Sequence, residues 1–155
     1  MDKSKIPADQ RQALGALLDD HRAVKKLFKD FEGAKDESRK RSIAAETCSQ
    51  LTVHAEIEEE IFYPSLRDMS DEIDDMLDEA KVEHQVAKDL MAILESQPDA
   101  EVMEATYKVL SEYVGHHVEE EETEMFKAVI KAKINLRDVA GRMASRKDEL
   151  VSATA

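Results

Sequence analysis

Apolar residues recur along this chain at alternating steps of three and four, the period of an α-helix that buries one face. Leu14, Leu17, Val24, Phe28 and Phe31 mark a first stripe, with His21 in its middle. Pro7 stands where proline is tolerated, at a helix start. Gly33 and the polar Lys35-Asp36 end the stripe. A second helix carries Ile43, Thr47, Leu51, His54, Glu58 and Ile61 on one face. Pro64 predicts its end, because proline removes a donor and clashes with the preceding turn. Ser70 reads as the N-cap of a third helix, with Ile73, Leu77, Ala80, His84, Ala87, Met91 and Leu94 facing inward. Ser96-Gln97-Pro98-Asp99 is a turn. A fourth helix carries Val102 or Met103, Thr106, Leu110, Val114 or Tyr113, His117, Glu121 and Met125. Asn135 breaks the pattern and would cap a short fifth helix with Leu136, Val139 and Met143 inward. Four long helices joined by short turns predict an all-α fold, an up-down-up-down antiparallel four-helix bundle. The expectation is a single domain over residues 1–155, with the bundle at about 8–133 and the C-terminal helix at about 136–150.

Composition agrees with helices. Gly and Pro number 4 and 3, and aromatic residues are 5% of the chain, too few for a sheet protein of this size. The net charge of −13 would repel a phosphate backbone and an anionic lipid face, so neither nucleic acid nor a membrane is an expected partner. No run of some 18 apolar residues occurs, and no apolar stretch follows the N-terminus as a signal peptide would require. A cytoplasmic location is the expectation. Cys48 is the lone cysteine and is expected to be a small packed residue.

The helical halves repeat. A shift of 63 positions takes His21 to His84, His54 to His117 and Glu58 to Glu121. The same shift takes Asp20 to Glu83, Glu59 to Glu122, Leu14 to Leu77 and Lys25 to Lys88. The histidines and glutamates of the inward stripes are kept, as an approximate two-fold relation between two helix pairs would require. His116 has Val53 at the same shift, breaks the relation and is read as a non-ligand.

His54 and Glu58 are four apart, as are His117 and Glu121, so each pair shares a helix face. His21 and His84 add one imidazole each from the other helices. A single histidine on an apolar stripe is more often a packed core residue, and one HxxxE spacing arises by chance in a Glu-rich helix. Six such residues at one repeat offset argue for a metal centre with His21, His54, Glu58, His84, His117 and Glu121 as ligands. Burying those groups unpaired would cost several kcal/mol, on the order of magnitude known for isolated polar groups. Imidazole suits iron, zinc, copper and nickel. Two histidines per ion and two bridging carboxylates would hold a pair roughly 3.5–4 Å apart, with an open position on each. The cavity walls are expected one turn from the ligands, at Leu17, Thr47, Leu51, Ala80, Leu110 and Val114, with Ala80 leaving space beside His84. Gln50 and Tyr113, also related by the shift, either hydrogen-bond a bound ligand or pack.

On these residues the chain resembles the hemerythrin-like, or HHE cation-binding, domains. Asp20-His21, the segment HAEIEEEIFYP from His54, Glu83-His84 and HVEEEE from His117 match that family's pattern over about residues 10–130. The resemblance implies a four-helix bundle holding two non-haem iron ions, oxo- or hydroxo-bridged. It implies a centre that handles dioxygen, nitric oxide or peroxide, as in oxidative or nitrosative stress defence; the alternative is a reversible O2, NO or iron sensing module without turnover. Peroxide decomposition and NO reduction are the enzymatic activities it brings into view. Oxygen carriers of the family have a second third-helix histidine, where this chain has Ala80 and Lys88 one turn either side of His84. They also use Asp, one place later, where this chain has Glu121. The departures point towards reaction rather than reversible carriage. A homodimer is left open.

Overall fold

The computed structural model describes residues 1–154, and every regular element in them is helical. A short 3₁₀ turn, Lys3–Lys5, precedes α1 (Ala8–Gly33), α2 (Glu37–Ile57), a π turn at Glu58–Phe62 and α3 (Tyr63–Leu66). Then come α4 (Asp71–Glu95), α5 (Ala100–Glu120), a second π turn at Glu121–Met125, α6 (Phe126–Lys131) and α7 (Arg137–Thr154).

The expected boundary signals operate. Pro7 is the N-cap residue of α1, Asp36 accepts from the Arg39 amide at 2.7 Å, and Ser70 accepts from the Ile73 amide at 3.1 Å. Asn135 accepts from the Arg137 amide at 3.0 Å ahead of α7, which runs to Thr154, beyond the expected end. Met103 and Val114 are the buried members of the two pairs the periodicity left open.

The second helical rod ends at Leu66, near Pro64 as expected, but it reaches that end through a π turn and the short α3. In the π turn the Tyr63 amide reaches back five residues to the Glu58 carbonyl. The second π turn has the same bond, from Phe126 to Glu121, and no proline nearby. The two wide turns are related by the shift of 63 and each begins at a core glutamate. Proline is therefore not their cause. A π turn places one extra residue in the rod and re-aims the side chains on it, a device common at functional sites.

α1 packs on α2 and α5, α4 on α5 and α2, and α7 lies across α1, α2 and the first π turn. The interior divides into two apolar clusters. One gathers Leu14, Leu18, Phe62, Leu66, Phe126 and Val129 with Leu136, Val139 and Met143 from the α7 region. The other gathers Val24, Phe31, Ile43, Met91, Tyr107 and Leu110. Each candidate histidine lies in its helix between a residue of one cluster and a residue of the other, so the polar groups form a layer between two apolar plugs.

Candidate metal centre

All six expected ligand side chains meet in that layer. Glu58 and Glu121 are 0% and 2% exposed, and His21, His54 and His84 are buried. The His117 side chain retains 12% of its surface. His21 Nε2 lies 3.2 Å from Glu121 Oε1, and His54 Nε2 lies 3.1 Å from Glu58 Oε1. His84 Nε2 lies 3.3 Å from the same Glu58 oxygen, and His117 Nε2 lies 3.5 Å from Glu121 Oε2. The donor atoms form two groups able to hold a metal ion: His21, His54, Glu58 and Glu121, and Glu58, His84 and His117. Glu58 belongs to both.

The outer nitrogen of every one of these rings is bonded to a carboxylate. His54 Nδ1 bonds Asp20 Oδ2 at 2.8 Å, and His117 Nδ1 bonds Glu83 Oε1 at 2.8 Å. His84 Nδ1 bonds Glu59 Oε2 at 3.0 Å, and His21 Nδ1 bonds Glu122 Oε2 at 2.8 Å. The four bonds follow the internal repeat. A carboxylate at Nδ1 fixes the tautomer and leaves the Nε2 lone pair for a metal. Cations stand behind three of the carboxylates: Lys147 on Asp20 at 2.8 Å, Lys88 on Glu59 at 2.8 Å and the N-terminal amine at 3.5 Å from Glu122.

Several of the inner atoms have no such partner. Among the described residues, the buried side-chain polar atoms without a hydrogen-bond partner are His21 Nε2, His117 Nε2, both Glu58 oxygens, Glu121 Oε1 and, elsewhere, Gln10 Oε1. Buried polar groups are nearly always paired. The Nε2–oxygen separations of 3.1–3.5 Å are short enough for both atoms to reach one transition-metal ion, whose bonds to such donors are about 2.1 Å. Without a cation the centre must hold protons instead. Burial opposes charge on His54, but Glu58 and Asp20 outweigh it and hold its pKa well above the usual histidine value. The same balance raises His21 and His84, and raises His117 to about 9. Burial likewise opposes charge on Glu121, yet His117 and His21 hold its pKa well below the usual carboxylate value.

Tyr63 breaks the two-fold relation. Its hydroxyl donates to Glu121 Oε2 at 2.5 Å and lies 3.4 Å from His84 Nε2. Burial and the nearby Glu121 and Glu58 charges keep it a phenol. The residue 63 positions on is Phe126, whose ring stacks on His21 with centroids 6.1 Å apart.

A cavity of about 40 Å³ adjoins the histidines. Leu51 and Val114 line it as expected, joined by Val24, Ala87, Met91 and Val118. Four of the expected wall residues lie elsewhere. Leu17 is in the apolar cluster on the far side of the layer, beside Phe62 and Phe126, and Ala80, of the same cluster, lines a separate small crevice that reaches His117 and Glu121. Leu110 is in the other cluster's interior, and Thr47 is bonded to the Ile43 carbonyl and the Tyr107 hydroxyl. The space beside His84 is at Ala87, one turn after it, and not at Ala80. Tyr113 lines the cavity, whereas Gln50 is bonded to Glu46 on the surface. His116 is exposed and pairs with Glu120 at 2.9 Å, away from the centre. Cys48 is buried, and burial raises its thiol pKa to about 11.

The sequence reading missed Tyr63 and the four outer carboxylates. For the carboxylates a signal existed: Asp20 and Glu83 directly precede His21 and His84, Glu59 and Glu122 directly follow Glu58 and Glu121, and both pairs obey the repeat. Tyr63 left none, since its repeat partner cannot donate.

The model for the hemerythrin HHE cation-binding domain matches residues 12–129. The chain belongs to that family. Its matched region takes in all six inner residues, the four outer carboxylates and Tyr63. A curated relative from Nostoc sp. (strain PCC 7120 / SAG 25.82 / UTEX 2576), described as a DNA nickase, is 30% identical over 112 residues. The match covers 71% of this hemerythrin domain chain and 31% of the relative, so the chain spans about a third of that protein's length. No solved structure matches the chain. None of its helices is long and apolar enough to cross a membrane, among the described residues.

Proposed function

We propose that this chain is a non-haem di-iron protein that binds or reacts with a small ligand, O2, NO or peroxide, in oxidative or nitrosative stress defence. The observation that carries the reading is the set of inner donor atoms with no hydrogen-bond partner, on histidines whose outer nitrogens are all tied to carboxylates. His21, His54, His84 and His117 would hold the ions with Glu58 and Glu121, in an up-down-up-down antiparallel bundle of the four rods. An iron pair supplies one-electron redox steps and open coordination positions for a small ligand.

The chain's own residues supply the rest. Val24, Leu51, Ala87, Met91, Val114 and Val118 keep the approach apolar, and a cavity of about 40 Å³ admits a diatomic or peroxide and turns away larger molecules. Tyr63 donates its hydroxyl proton to Glu121 in a hydrogen bond and so holds that carboxylate in place from the side opposite the cavity. The outer carboxylates orient the imidazoles. The name of the cyanobacterial relative raises a DNA-directed role, but a chain of net charge −13 is poorly suited to approach phosphates. We place the protein in the cytoplasm, free of nucleic acid.

The test is to add O2, NO and hydrogen peroxide separately to reduced, iron-loaded protein and follow spectrum and consumption. Oxidation by O2 without a long-lived adduct, with peroxide or NO consumed, is the expected result. An oxygen adduct that lasts many minutes and releases O2 intact under vacuum would overturn it in favour of a sensing or carrying module.

A further inference from the structure

The metal reading leaves open how an ion reaches ligands this deeply buried. We infer that divalent metal enters through an acidic crevice between α4 and the π turn after α5, with Glu79, Glu120 and Glu124 drawing the cation towards His117 and Glu121. The inference rests on the metal reading of the centre.

Three openings touch candidate ligands. The cavity beside the histidines is walled mainly by apolar side chains and has Lys88 among its lining residues. A groove between α1, α2 and α7 reaches His54, but Lys147 lines it and sits on Asp20. The third is a crevice of about 20 Å³ lined by Met76, Glu79, Ala80, Glu83, Glu120, Glu124 and Met125, with His117 and Glu121 at its inner end. No lysine or arginine lines it. Five carboxylates and no ammonium group line this path, against three carboxylates with Lys147 in the α7 groove and two with Lys88 in the cavity, so a dication is drawn most strongly here. The crevice ends on atoms that await a ligand, since Glu121 Oε1 and His117 Nε2 both lack hydrogen-bond partners and Glu121 is 2% exposed.

The internal repeat shows that helix packing does not demand these acids. Sixty-three positions earlier, Glu120 and Glu124 correspond to Ile57 and Ile61, both buried. There α7 covers the rod, and Ile57 and Ile61 share an apolar cluster with Val139, Ala140 and Met143. The first half is closed at this place by apolar packing. The second half is left uncovered and lined with carboxylates.

The experiment follows anaerobic Fe2+ uptake by metal-free protein with stopped-flow tyrosine fluorescence, since Tyr63 touches Glu121. It compares the wild type with Glu79→Gln/Glu124→Gln and, as a control, Glu46→Gln in the α7 groove. At low ionic strength the double variant should load about ten-fold more slowly, the scale of electrostatic steering by a charged cleft. Its rate should also depend less on salt than that of the wild type. Iron content and final spectrum should be unchanged, because neither Glu79 nor Glu124 touches a candidate ligand. Equal loading rates, or equal slowing by Glu46→Gln, would overturn the route. A double variant that loses iron would make these residues ligands and overturn it too. A wild type that takes up no metal is a distinct result, which removes the metal reading itself and the route with it.

Discussion

At the residue scale, the centre is defined by what each imidazole does with its two nitrogens. Nδ1 is always engaged by a carboxylate and Nε2 always faces Glu58 or Glu121. His54→Ala and His117→Ala should each lose metal, because each removes a histidine from one of the two donor groups, while His116→Ala should keep it; metal analysis of the purified variants checks this. If His116→Ala empties the site and His117→Ala does not, the assignment of the α5 face is wrong. Asp20→Ala removes the partner of His54 Nδ1, together with the surface ion pair to Lys147, and touches no inner donor atom. It should leave iron content at saturation unchanged and weaken affinity about 10–100-fold, the usual cost of losing such a partner. Competition against a chelator measures this, and wild-type affinity would contradict the orienting role. The six inner residues were legible because histidine and glutamate stand out on apolar stripes. The outer carboxylates were not, because in a chain with 35 acids a glutamate beside a ligand looks like a solvated face.

At the element scale, the two π turns distinguish this bundle from four plain rods. Stripe spacing read the rods and the end of the second near Pro64, but gave no sign of the wide turns at the core glutamates. A π turn shifts the inward face by one residue, and the apolar residues that follow, Ile61 and Phe62, serve either register. Because such a turn accommodates one extra residue, deleting exposed Glu60 should let Glu58–Phe62 close into α-helix while α3 keeps its packing. Glu58 would then be re-aimed. Circular dichroism should report retained helix, and metal analysis should report a loss; full metal content would show that the wide turn does not aim Glu58. The cavity is set by α4. Ala87→Val copies its repeat partner Val24 into the space beside His84. Peroxide or NO consumption should slow several-fold with iron content retained, and an unchanged rate would mean that the ligand approaches elsewhere. The walls were misjudged from sequence because a helical stripe has neighbours one turn both before and after a ligand. Only the packing shows that Phe62, Phe126 and α7 close the side before the ligands, save for the small crevice at Ala80.

At the scale of the whole molecule, two apolar clusters clamp a layer whose carboxylates need positive charge from protons or from metal. In the metal-free protein, histidine pKa values raised above the unfolded value give stability that is fully present below about pH 6.5. That stability is lost as pH rises through the folded values, about 9 for His117. The thermal midpoint of metal-free protein should therefore fall between about pH 6.5 and 9, while that of metal-loaded protein, whose imidazoles are already deprotonated, should not. A metal-free midpoint that is flat across this window would contradict the balance of charges described here. Loading should also raise the midpoint at fixed pH, by mass action on the folded state. The central claim is that the layer is a di-iron site, and the direct measurement is elemental analysis of protein produced with iron available and purified in metal-free buffer. The account predicts about two iron atoms per chain, as a carboxylate-bridged pair in a helical bundle holds. A content near zero, or zinc alone with no iron taken up on reconstitution, would contradict it.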